Sequence, residues 1–231
     1  MPKMTGAQAL TKSLIDYGID TIFTLPGAQL DPMFDALYDE KERIKVIHTR
    51  HEQGTSYMAF GYAQSTGRVG VNLVVPGPGL LNASAGLSTA FACGAKVLCL
   101  AGQIPSKLIG GGIGQLHELA DQPGAVASVT KWRGRAEEPE DAPERVREAF
   151  IQLNTGRTQP VLLEMAPDIM ATKADVTLLD TQSDYAKIDP TPDPELIEKA
   201  AALLGSASNP AIIIGGGIWG AEESLLALAE E

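Results

Sequence analysis

The chain has 231 residues, 44% of them hydrophobic and 20% charged, which suffices for one large α/β domain or for one domain and the start of another, and excludes a disordered or fibrous chain. Its formal net charge of −11 is spread along the sequence with no run of Lys or Arg able to neutralise successive phosphates, so nucleic acid is not expected as a partner. No window reaches the roughly 18 apolar residues of a membrane span, and the N-terminus lacks the basic and apolar regions of an export signal. The expected location is therefore the cytoplasm, with no membrane partner.

In chain order, Thr5-Gly-Ala-Gln8 has capping-box spacing, Ala7, Leu10, Leu14 and Ile15 recur at helical intervals, and Gly18 stands where a left-handed cap would close the helix. Strands are predicted at Thr21–Thr24, Ile44–Ile47, Val69–Val75, Val97–Leu100 and Val161–Leu163, where short β-branched or apolar runs occur. Between them, helices are predicted over 29–39, over 52–66 closed by Gly67, over 79–92 followed by Gly94, and over 143–155 closed by Gly156. This alternation implies an α/β fold: a doubly wound, mainly parallel sheet with helices on both faces and right-handed connections. Cys93, at a helix end, and Cys99, within a strand, are both expected in the core. The acidic residues between Glu137 and Asp141 read as a solvated loop.

From Ala166 to Pro192 the periodicity fades, and Pro167, Pro190 and Pro192 punctuate a polar stretch. The expected organisation is a domain over 1–170, a linker over 171–192 and the beginning of a second, Rossmann-like α/β domain over 193–231. There, Asp193-Pro194 starts a helix that runs to Leu204, Asn209–Gly217 reads as a buried strand entering a glycine turn, and 221–231 reads as a helix. One helix, one strand and one helix cannot bury a core, so further residues are expected after Glu231.

Three turns carry the candidate chemistry. His48-Thr-Arg-His-Glu-Gln-Gly54 joins a strand to a helix and puts Glu52 near the carboxyl ends of the strands, where open α/β sheets collect ligands. Pro76-Gly-Pro-Gly79 leads into a helix bearing Asn82, and Pro26-Gly27 ends an earlier strand on the same rim. Taken singly, each has a bland reading: Gly and Pro build βα turns, and an acid at a helix N-terminus complements the dipole. His48 and His51 flank Glu52 on different faces, which favours structural roles over a metal site.

In their order, Leu25-Pro-Gly27, Arg50-His-Glu-Gln-Gly54 with Met58 and Gly61-Tyr-Ala63, Pro76-Gly-Pro-Gly-Leu-Leu-Asn82, and Gly102-Gln-Ile-Pro105 resemble the pyrimidine-binding domain of acetolactate synthases and related thiamine-diphosphate enzymes. The resemblance covers about residues 4–170, and the stretch after 193 is similar to the start of that family's central domain. It implies thiamine diphosphate as cofactor and a 2-oxo acid or related carbonyl compound as substrate, joined or decarboxylated in a site between subunits of a homodimer or homotetramer. By the same match Glu52 activates the cofactor through a pyrimidine nitrogen, Pro26 and Gly27 line the pyrimidine site, Pro78 packs near the ring, and Asn82 fixes its surroundings. Mg is implied too, with ligands in a diphosphate domain whose Gly-Asp-Gly signature these residues lack, so the isolated chain is expected to be inactive.

Two departures from the family pattern stand out. Before the Gly-Pro-Gly turn, where the family often has a hydroxyl residue, Val75-Pro76 supplies none, and His117, in Gln115-Leu-His-Glu118, takes the place of the glutamine in a Phe-Gln-Glu pattern near the substrate. His117 is thus a catalytic candidate, weighed evenly against a loop histidine, and the acetolactate reaction itself is placed in question. Gly215, Gly217 and Gly220 match the bare spacing of a dinucleotide turn, which permits FAD without favouring it. The competing readings are a non-catalytic α/β binding or regulatory subunit, or the pyrimidine-domain subunit of a split enzyme.

Overall fold

The computed structural model describes residues 3–181 and 191–231. The capping box forms as its spacing predicts: the Gln8 N–H donates to Thr5 Oγ1 at 3.1 Å and the Thr5 N–H donates to Gln8 Oε1 at 3.0 Å. Two orphan donors of the helix start are thereby satisfied together. In chain order the first compact unit contains β1 (Lys3–Thr5), α1 (Gly6–Asp16), β2 (Thr21–Thr24), α2 (Asp31–Asp39), β3 (Lys45–His48), α3 (Glu52–Thr66), β4 (Gly70–Val74) and α4 (Pro78–Cys93). It continues with β5 (Val97–Gly102), α5 (Gln122–Ala125), β6 (Trp132–Ala136), α6 (Ala142–Asn154), β7 (Val161–Met165), α7 (Pro167–Ala171) and β8 (Lys173–Asp175).

Six strands form one parallel sheet in the order β3-β2-β4-β5-β7-β6, so all their carboxyl ends lie along one edge. Alternation along the central strands divides the apolar residues between two faces, as a period of two requires. Val71, Leu73, Leu98 and Leu100 join Leu10, Leu14, Leu37 and Phe150 in the core beneath α1, α2 and α6. Val74, Val97, Cys99 and Ala101 join Ala59, Leu80, Ala83 and Leu87 beneath α3 and α4. Glycine permits the close approach of α3 to its neighbours: a Cβ on Gly70 would strike the Ala59 carbonyl, and one on Gly86 would strike the Ser56 hydroxyl.

Three strands differ from the sequence expectation. The edge strand β6 is Trp132-Arg-Gly-Arg-Ala136, whose arginines disguise it; among the described residues it pairs with β7 alone, Arg133 donates to the Thr130 carbonyl and Arg135 to buried Glu164. β1 and β8 make a three-residue antiparallel pair, Lys3↔Asp175 to Thr5↔Lys173, in which β8 falls within the stretch the sequence assigned to the linker. Cys99 is buried as expected, but Cys93 is exposed, because the last residue of α4 falls on its solvent side.

The second unit contains α8 (Pro194–Gly205) and α9 (Glu222–Glu230). Asp193 caps α8 by accepting the Glu195 N–H at 2.9 Å, as the Asp-Pro pair predicts. Neither helix buries a residue. The expected strand at 209–217 does not form, and Ile213 is 97% exposed. A strand needs a neighbour for its backbone N–H and C=O groups, and among the described residues of this unit there is none. Among the described residues no helix is long and apolar enough to cross a membrane.

Candidate active site

Glu52 is the first residue of α3, placed at the carboxyl edge by the turn after β3. The two histidines of the turn make local contacts: His48 stacks on Phe34, and His51 caps α3 by accepting the Gln53 N–H on Nδ1 at 3.1 Å. Glu52 as a residue is half-buried, and Asn82 beside it is exposed. Glu52 Oε2 accepts from Asn82 Nδ2 at 3.0 Å, and Glu52 Oε1 lies 3.6 Å from where a Cβ on Gly79 would stand.

The Pro76–Gly79 segment is a tight turn, closed by the Gly79 N–H donating to the Pro76 carbonyl at 3.3 Å. Gly77, with φ 59° and ψ −117°, has the angles of the first central position of a type II′ turn, where glycine dominates. Beneath the turn lies Val75. One of its methyls would be struck by a Cβ on Gly27 and the other would stand 2.5 Å from a Cβ on Gly79. The structure therefore joins Gly27, Val75, Gly79, Glu52 and Asn82 in one run of contacts. Pro26 and Pro78 are exposed on the same edge, at the ends of β2 and β4.

Such a cluster fits one side of a flat heteroaromatic ring. The glycines keep backbone low over an apolar floor, Pro78 offers an exposed ring, and a carboxylate steadied by an amide can exchange a proton with a ring nitrogen. The same residues do not resemble a diphosphate cradle or a cation site, and among the described residues no group of three or more His, Cys, Asp or Glu is placed to hold a metal ion.

His117 lies in the loop after β5, in a left-handed conformation with φ 69°, and its backbone carbonyl occupies the space a Cβ on Gly77 would need. His117 is half-buried, and among the described residues its buried Nδ1 has no hydrogen-bond partner. The neighbouring Glu118 folds the loop around its own carboxylate, which accepts N–H groups from Gly112 at 2.8 Å, Gly114 at 2.8 Å and Gln115 at 2.9 Å. The bond from Gln115, with the other backbone donors, holds the Glu118 carboxyl below the usual carboxylate range.

Sequence reasoning missed a buried polar chain under the turn. The Gly77 N–H donates to Gln122 Oε1 at 2.9 Å, Gln122 Nε2 donates to Glu164 Oε2 at 2.7 Å, and Arg135 Nε donates to Glu164 Oε1 at 2.5 Å. Glu164 is wholly buried. The one visible signal was an acidic residue inside the apolar run Val161-Leu-Leu-Glu-Met165.

Residues 4–125, just over half of the chain, match the family described as thiamine pyrophosphate enzyme, N-terminal TPP binding domain. The chain belongs to this family. Within this thiamine pyrophosphate enzyme domain fall Pro26, Gly27, Glu52, Pro78, Asn82, His117 and Gln122, while Arg135 and Glu164 lie beyond the matched residues. Over 98% of its length the chain is 38% identical to a probable acetolactate synthase large subunit of Methanocaldococcus jannaschii, covering 39% of that protein. It is 35% identical to the acetolactate synthase large subunit of Corynebacterium glutamicum, over 99% of the chain and 36% of that protein. A probable 2-ketoarginine decarboxylase of Pseudomonas aeruginosa is 34% identical, over 98% of the chain and 40% of its own length. The chain thus spans about two fifths of the length of these curated relatives.

Proposed function

We propose that this chain supplies the pyrimidine-binding half of a thiamine-diphosphate enzyme that makes or breaks the bond beside the carbonyl of a 2-oxo acid or related compound. The observation that carries the reading is the carboxylate of Glu52, held by Asn82 beside the glycine-lined floor of Val75. Relatives named for a carboligation and for a decarboxylation support both reaction types.

Thiamine diphosphate, when bound, supplies the electron sink for carbonyl chemistry. The chain's own residues bind and orient it and handle one proton. Glu52 Oε1 holds or releases a proton toward a ring nitrogen while Asn82 fixes Oε2, so the carboxyl group presents one oxygen. Gly27, Gly79 and Val75 shape the seat, Pro26 and Pro78 border it, and His117 stands beside the turn as the candidate for proton exchange with substrate. Mg and the diphosphate are held by residues outside this chain's cluster, so these 231 residues have no turnover alone. FAD remains the unfavoured option at Gly215–Gly220.

The same reading takes residues 1–170 as the pyrimidine domain, 171–192 as a linker and 193–231 as the opening of the central domain. It makes the enzyme a cytoplasmic homodimer or homotetramer, because the other half of the cofactor needs a second domain facing Glu52.

The test is Glu52→Gln in the full-length protein. Gln preserves the bond from Asn82 only in part and cannot carry the proton, so hydrogen exchange at the thiazolium C2 of bound cofactor should slow by about 100-fold or more. The melting temperature should stay within about 2 °C, since the site is near the surface. Unchanged exchange would remove Glu52 from the chemistry.

A further inference from the structure

Among Pro76, Gly77 and Pro78 only Gly77 has a backbone N–H, because proline has none. That N–H is buried and donates to Gln122 Oε1 at 2.9 Å. Gln122 is 1% exposed, and its amide nitrogen is engaged twice, with the Gly102 carbonyl at 2.9 Å and Glu164 Oε2 at 2.7 Å. Two acceptors on one side demand the NH₂ there, so the amide oxygen is left facing Gly77. Glu164 is itself fixed, since its Oε1 takes Arg135 through Nε and Nη2 at 2.5 Å each. Polarity therefore runs from β6 through β7 and α5 to the turn after β4, with every donor meeting an acceptor.

The turn in question sets the start of α4. Gly79, which closes it, stands beside Glu52 Oε1, and Asn82 on the following helical turn donates to Glu52 Oε2. Rotation of the Pro76–Gly77 peptide would break the closing bond and shift both neighbours of the carboxylate.

We propose that Gln122, oriented by Glu164 and Arg135, is a positioning residue that locks the Gly77 turn and through it holds Asn82 and the Glu52 carboxylate in place for the pyrimidine ring; this rests on the cofactor reading above. A residue that merely filled the core would need the volume of Gln122 and not its polarity. The two roles are separable. Gln122→Met keeps the length and removes all three hydrogen bonds. Gln122→Glu keeps an acceptor for Gly77 but sets a second carboxylate against Glu164. The double variant Gln122→Glu/Glu164→Gln restores a donor facing an acceptor between the two positions at unchanged total charge.

The experiment uses full-length protein and two readouts. In cofactor-free protein, hydrogen exchange followed by mass spectrometry on a peptide covering residues 75–81 should show the turn opening roughly tenfold more often in Gln122→Met, the scale of one lost buried hydrogen bond. Calorimetric titration with thiamine diphosphate and Mg should show affinity roughly tenfold weaker in Gln122→Met and in Gln122→Glu, with most of the Gln122→Glu loss recovered in the double variant. The substrate KM should move by less than about twofold, because it depends on uniform binding elsewhere. Wild-type exchange and affinity in Gln122→Met overturn the proposal, as does a double variant no better than Gln122→Glu. If Gln122→Met does not fold, the comparison of Gln122→Glu with the double variant decides alone. Wild-type protein that fails to bind thiamine diphosphate overturns the cofactor reading as well, whereas wild-type binding matched by the variants sinks only the role of Gln122.

Discussion

Replacing Gly77 with alanine tests the geometry on which the candidate site stands. Two costs add. The backbone has φ 59° and ψ −117°, angles that an L-residue holds at about 1–3 kcal/mol of strain. The new Cβ would also run into the His117 carbonyl oxygen, with the His117 carbonyl carbon at 3.0 Å, and relief of such overpacking by backbone movement costs about 1–3 kcal/mol. With each cost at the middle of its range, and with the roughly 0.7 kcal/mol that alanine returns through the unfolded chain subtracted, the net loss is about 3 kcal/mol. For a chain of this size that is a melting temperature lower by roughly 6–12 °C. Gly67→Ala is the matched control: its φ is 70° with ψ −1°, an ordinary left-handed cap, and nothing lies within 4 Å of the added Cβ. It should cost only about 1 kcal/mol. Urea unfolding of both variants, followed by far-ultraviolet circular dichroism, measures the difference. Equal losses in the two would show that the His117 loop does not press on the turn, and the site geometry would be wrong.

Iodoacetamide should label Cys93 and leave Cys99 intact in native protein, because Cys93 is exposed while burial pushes the Cys99 thiol up to about 12; peptide mass spectrometry reads this, and equal labelling would place Cys99 outside the core. The Lys12 ammonium, 2.6 Å from Glu40, holds that carboxyl below its usual range, so the ion pair's contribution is complete above the ordinary glutamate value of about 4.3 and is lost as pH falls through the lowered one. Glu40→Gln should therefore cost about 0.5 kcal/mol at neutral pH and progressively less as pH falls below the ordinary glutamate range, and a cost that does not shrink in acid would refute the pairing.

Much of the fold was legible locally. The apolar runs of β2, β4, β5 and β7, the Thr5 capping box and the glycine caps at 18 and 67 are decided by neighbours a few residues apart, and they stand where the sequence placed them. β6 was not legible, because its arginines look solvent-bound until Glu164 is seen to receive one of them. The absent strand at 209–217 failed for the opposite reason: its residues are apolar enough, but pairing is a property of two strands.

The motif order by itself determined the family and, through that resemblance, singled out Glu52 and Asn82, while the glycine-proline turns follow from short-range backbone requirements. Only tertiary structure decided how they are held. Gln122 meets Gly77 across 45 residues and Glu164 across 42, and Arg135 meets Glu164 across 29. Those bonds exist because parallel strands β5, β7 and β6 are neighbours in space, an order that no local pattern encodes. A buried amide finds its partners wherever the sheet delivers them, and so the anchor of the site is written in the topology.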